Sequence, residues 1–171
     1  MKKFSLFFFI FIIATDSVFA DVFDSPAKVK QIAAQIPVMD SISCKFKQEK
    51  YLKNIEKPLI SYGNFEYKKN IGVVFDTTYP VQLKTSYTNE NRKQINSVIN
   101  AISSKKYSEL EREFDFFFEE KNNNWTLGLK PKQSQNSSKI LKSIIISGNA
   151  IIENIEILQN NGNKTVLWFT K

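Results

Sequence analysis

Phe114-Asp115-Phe116-Phe117-Phe118-Glu119-Glu120-Lys121-Asn122-Asn123-Asn124-Trp125-Thr126-Leu127-Gly128-Leu129-Lys130-Pro131 is the stretch on which the fold turns. Phe114, Phe116 and Phe118 alternate with Asp115 and Glu119, while Phe117 is apolar on the second face. Trp125, Leu127 and Leu129 alternate again after the turn signal Asn122-Asn123-Asn124, and Pro131 closes the run. Successive side chains of a strand point to opposite faces, so this period of two reads as a β-hairpin with one face to be buried. Downstream, Ile140–Ile146, the turn Ser147-Gly148-Asn149, Ile151–Leu158, the hairpin signal Asn161-Gly162 and Thr165–Thr170 repeat the pattern. Upstream, Ile42, Cys44 and Phe46 share one face, and Gly63, Phe65, Tyr67 and Lys69 share another beyond a polar loop at Asn54–Pro58. Asn70 makes a turn, Ile71, Val73 and Phe75 form the next strand closed by Pro80, and Val81 and Leu83 begin one more. About eight or nine strands joined by short turns predict an antiparallel meander, because parallel neighbours need long crossovers.

Helical spacing interrupts this series twice. Val29, Ile32, Ala33 and Ile36 form one stripe, with Ser25 as a cap, Pro26 in the first turn and Pro37 as the stop. Between Asn91 and Arg112 the apolar positions Ile95, Val98, Ile99 and Ile102 recur, and Ser108 with Glu111 makes a capping-box pattern for a further turn. A sheet of this size has to hide one face, and these amphipathic segments are there to cover it. The expected architecture is mainly β with α: an unclosed antiparallel β-barrel under a lid of short α-helices. Val29, Ile32, Ile36, Ile95, Val98, Ile99 and Ile102 are the lid side chains, and Phe46, Phe65, Tyr67, Lys69, Val73, Phe75, Phe116 and Trp125 line the inner face. Two readings stay open: an ordinary filled core, or an apolar ligand cavity. Lys69 is expected to point inward, where it needs a partner or an opening.

The first residues bear on location. Met1-Lys2-Lys3 is basic, Phe4–Ile13 is apolar, and Val18-Phe19-Ala20 offers a small-residue cleavage site. This is the pattern of a secretory signal peptide, with an apolar run short of the roughly 20 residues of a membrane span. Residues 1–20 are therefore read as a signal peptide and 21–171 as a single exported domain. The formal charge of +7 comes almost wholly from Lys, with Arg only at 92 and 112. Scattered lysines without arginine forks argue against nucleic acid. One cysteine, Cys44, allows no internal disulfide, and zero histidines exclude histidine-based triads and most zinc sites. The carboxylate pairs Glu49/Glu66 and Asp115/Glu119 alternate outward with lysines, as solvated faces do. No catalytic residue, metal or cofactor is expected.

Ser61-Tyr62-Gly63-Asn64-Phe65-Glu66-Tyr67-Lys68-Lys69-Asn70-Ile71-Gly72-Val73-Val74-Phe75 through Pro80 resembles the early hairpin of the periplasmic outer-membrane lipoprotein carriers (LolA-like). Phe46-Lys47-Gln48 resembles that family's F-x-Q strand, Trp125–Pro131 its W-x-L-x-L-x-P strand, and Asn161-Gly162-Asn163-Lys164-Thr165 its closing turn. The resemblance implies a monomeric LolA-like domain that shields the acyl chains of a lipoprotein, or of another acylated lipid. Cargo would pass through the periplasm from an inner-membrane donor complex to an outer-membrane acceptor. Lys69-Asn70 stands where the family carries a lid-holding Arg, often followed by Pro, and Phe75 stands for a Trp. These departures point to a divergent member with an acylated cargo of another kind. An envelope adaptor domain and a lipid esterase are the alternatives.

Overall fold

The computed structural model describes residues 21–69, 71–88 and 94–171. The signal-peptide reading of residues 1–20 and the turn at Asn70 lie outside them. The strands are β1 (Ser41–Tyr51), β2 (Leu59–Lys68), β3 (Gly72–Tyr79), β4 (Leu83–Thr88), β5 (Phe114–Lys121), β6 (Asn124–Pro131), β7 (Leu141–Gly148), β8 (Ile152–Gln159) and β9 (Lys164–Thr170). They form one sheet in the order β4-β3-β2-β1-β9-β8-β7-β6-β5, with every neighbouring pair antiparallel. The sheet is thus two meanders rather than one, zipped together where β1 meets β9. The short turns account for each meander. The β1–β9 seam brings together residues far apart in the chain and carries no local signal.

The sheet is not closed: β4 and β5 are its edges. The chain covers β5 itself. Pro26 bridges Phe117, Ala27 N–H donates to Phe116 O at 2.9 Å, and Phe118 N–H donates to Ser25 O at 2.9 Å. An edge strand satisfied in this way no longer templates aggregation. The same segment accounts for the outward Phe117, which packs edge-on against Phe23 at 5.3 Å, with the Lys130 ammonium 4.3 Å from the Phe23 ring centre. Ser25 and Pro26 therefore serve the edge and do not begin a helix. The first helix, α1, is Val29–Gln35, starting after Lys28. The middle helical segment resolves into α2 (Gln94–Ser103) and α3 (Tyr107–Glu111), with Ser108 inside α3 rather than capping it.

These helices lie against the inner face of the sheet, and one continuous apolar core joins them to it. Ile32, Ile36, Val98 and Ile102 are fully excluded from solvent, and Ile99 is 1% exposed. Val29 packs against the same core from its margin. Ile95 lies within α2, its side chain outside the described set. Among the described residues no helix is long and apolar enough to cross a membrane.

Candidate ligand cavity

Strand register arranges the inner side chains in rows across the sheet. Nearest the lid, Ile42, Tyr67 and Val73 stand side by side. The next row is Cys44, Phe65 and Phe75. Then come Phe169, Phe46, Gly63 and Thr77, and beyond them Leu167, Gln48 and Ser61. Hydroxyl and amide groups gather toward the far end of the strands, at Thr77, Gln48 and Ser61, with Leu167 in the last row. Gly63 sits at a β-bulge, where a Cβ would lie 2.0 Å from the carbonyl oxygen of Asp76. A glycine inside a strand pattern is the sequence signal for such close backbone approach.

The aromatic rows form a connected cluster. Phe65 meets Phe75 at 5.0 Å and Phe169 at 4.6 Å, and Phe46 meets Phe75 at 5.1 Å nearly perpendicular. Edge-to-face contacts of this kind add about 0.5–1.5 kcal/mol beyond burial. Above this cluster is a cavity of ≈190 Å³. Its apolar wall is Phe46, Phe75, Tyr87, Ile157 and Leu167, and its polar wall is Gln48, Ser61, Thr77, Thr85 and Thr165. The five polar members are half-buried, as are Tyr87 and Ile157, so the cavity is open to water, and within it Gln48 Nε2 donates to Ser61 Oγ at 3.3 Å. An apolar cavity of about 150 Å³ accommodates a benzene-sized molecule. This one therefore takes a short hydrocarbon segment, and its lining comes from the strands alone, with no residue of α1, α2 or α3.

Of the eight residues expected on the inner face, Phe46 and Phe75 line the cavity directly. Phe65, Tyr67 and Val73 are buried in the rows toward the lid, 0–2% exposed, and do not line it. Phe116 and Trp125 are buried in the other half of the sheet and do not line it; the Trp125 indole N–H donates to Asn149 O at 2.7 Å. Lys69 is a correction. It falls just past the end of β2, exposed, with Nζ 2.9 Å from Asp40 Oδ1. The strand ends at Lys68, so the alternation that aimed Lys69 inward no longer applies. An exposed pair of this kind contributes about 0–1 kcal/mol. Tyr87, Ile157, Leu167 and Thr165 belong to the cavity but were missed: the β1–β9 seam brings in Ile157, Thr165 and Leu167, and pairing of β4 with β3 brings in Tyr87, opposite Val73. Cys44 packs against the core, and burial pushes its thiol up to about 11, so it is protonated and unreactive at neutral pH.

The lid is held mainly by packing. Tyr67 Oη donates to Asn100 Oδ1 at 3.4 Å, a long bond. Lys105 Nζ donates to Ala33 O at 2.7 Å, and Met39 N–H donates to Ser103 O at 3.0 Å, tying the lid segments to one another. The lid also buries polar atoms that have no partner among the described residues: the Asn96 side-chain amide and the Tyr107 hydroxyl. Burying an unsatisfied group costs about 1–3 kcal/mol, so helical closure is bought with less than full satisfaction. Tyr107→Phe is expected to raise stability by about 1 kcal/mol in urea unfolding near neutral pH. Burial pushes the Tyr107 hydroxyl up to about 12. The stability linked to that shift is present in full below the ordinary tyrosine pKa of about 10, and is lost as pH rises through 12. Tyr107→Phe should therefore flatten the alkaline limb of the stability profile. An unchanged limb would show that this hydroxyl is solvated.

A scan of family models finds no match, and no curated protein matches the sequence. Among solved structures, the chain is similar to a LolA superfamily protein from Nitrosomonas europaea, with TM-score 0.35 and 10% identity over 84% of this chain and 90% of that one. It is also similar to a domain from Vibrio parahaemolyticus described as an outer membrane lipoprotein-sorting protein, with TM-score 0.37 and 11% identity over 83% of this chain and 88% of that one. Likenesses this distant assign no ligand, and the fold stands on the strand pairing itself.

Proposed function

We propose that this chain is a periplasmic carrier that shields an acyl chain of a lipoprotein, or of another acylated lipid, during transfer from inner to outer membrane. The observation that carries the reading is the inner face: an unclosed sheet, apolar and aromatic toward the lid, with an open cavity of ≈190 Å³ lined by both apolar and polar side chains. Burial of a free acyl chain is favourable by about 0.8 kcal/mol per methylene. A carrier has to hold that chain and still release it, and a lid fixed by packing with unsatisfied polar atoms suits both. The order of sequence motifs and the export pattern of residues 1–20 support the same reading. An inner-membrane donor complex and an outer-membrane acceptor are the partners it implies.

A second reading, an envelope adaptor with a filled core, is favoured by the complete exclusion of Ile32, Ile36, Tyr67 and Val98 from solvent. One experiment separates the two. The chain from Asp21 onward is purified, extracted with organic solvent and examined by mass spectrometry, then offered a fluorescent fatty acid. Co-purified acyl lipid and saturable uptake are expected for the carrier. Absence of both overturns the carrier.

A further inference from the structure

Along most of β2 and β3 the outward face is polar, with Asn64 and Glu66 on one strand and Asp76 on the other. At the cavity end of these strands the pattern breaks. Ile60 (40% exposed), Tyr62 (47%) and Tyr79 (47%) occupy the outward face, Leu59 (53%) and Leu83 (59%) the inward one, and Val81 stands at 70% in the turn between β3 and β4. Tyr62 and Tyr79 stack at 4.9 Å with their rings 7° from parallel. Single exposed apolar residues are ordinary, but a group on adjacent strand ends marks an interaction surface. A strand tip that is apolar on both faces has no side built for water. Tyrosine, with an apolar ring and a polar tip, suits the boundary between hydrocarbon and headgroups.

The charge beside the tip has one dominant sign. Lys50, opposite Leu59, and Lys53 and Lys57 in the following connection are all exposed. None of the three has an ion-pair partner among the described residues, and Glu56 is the acid among them. We propose that this tip docks reversibly on an anionic bilayer, with Val81, Leu59 and the tyrosine pair entering the headgroup region and the three lysines meeting lipid phosphates. The docking rests on the tip alone and stands whether or not the cavity carries lipid.

The test is flotation of the full domain with phosphatidylcholine vesicles, with and without phosphatidylglycerol. Binding is expected to the anionic vesicles, to fall in high salt, and to weaken about tenfold in Val81→Asp and several-fold in Lys53→Glu. Both side chains are exposed, and unchanged thermal unfolding verifies that each variant is folded. Fatty-acid uptake by Val81→Asp is measured separately, so that failed docking is distinguished from failed carriage. No flotation with either vesicle overturns the proposal, as does equal binding by the wild type and Val81→Asp. A wild-type dimer that Val81→Asp dissociates, without vesicle binding, also overturns it and assigns the tip to a second copy of this chain.

Discussion

Phe65→Ala is expected to lower the free energy of unfolding by about 3–5 kcal/mol. Domains of this size hold about 5–15 kcal/mol in all, so the variant is left marginal. Phe65 is 2% exposed and stands where two sets of contacts meet: Cys44 and Phe75 beside it in the register, and the Phe169 ring 4.6 Å away on the strand beyond β1. Removing the ring strips Phe75 and Phe169 of a partner and leaves a void beneath the open cavity. Urea unfolding measures the loss, with an unchanged slope showing that the midpoint shift reports stability. Phe65→Leu refills part of the space and is expected to lose less than half as much. A loss below about 1 kcal/mol for the alanine variant would mean that the aromatic layer is not tightly packed.

The dependence on Phe65 also shows what could be read from the sequence. Phe65 was legible because alternation is local: Gly63, Phe65 and Tyr67 announce their face within one strand. The lid stripe was legible for the same reason, since Ile32, Ile36, Val98, Ile99 and Ile102 all reach the core. Residues that meet through the β1–β9 seam were not legible. Phe46 faces Phe169 and Gln48 faces Leu167 across more than half the chain, and no turn signal encodes that pairing. Ends of elements misled for a different reason. Pro26 in a first helical turn and Lys69 on an inward face are both sound local readings. A bridge to Phe117 and the end of β2 at Lys68 override them. Tertiary hydrogen bonding of an edge strand outweighs a helix cap when one segment has to choose between them.

Thr85→Trp is expected to abolish uptake of a fluorescent fatty acid while the domain stays folded. Thr85 lies on β4, opposite Phe75, and its half-buried side chain forms part of the cavity wall. An indole in place of the hydroxyethyl group fills the ≈190 Å³ space between Phe46, Phe75 and Leu167. The position is in an edge strand with room on the inner side, and aromatic residues favour strands, so the change in stability stays within about 1 kcal/mol. Affinity should fall at least about tenfold, because the ligand would have to displace the indole from the aromatic layer. Ser86→Trp is the control. It is the next residue on the same strand, exposed on the opposite face and paired with Val74. The two variants carry the same bulk on the same edge and differ in the side of the sheet that receives it. Equal loss in both would trace uptake to the β4 edge rather than to the cavity. Full uptake by Thr85→Trp, with a folded spectrum, would place the ligand outside this cavity. Loss confined to Thr85→Trp ties carriage to the inner face, where Gly63, by allowing β2 and β3 to approach, keeps the wall continuous from Phe46 to Thr85.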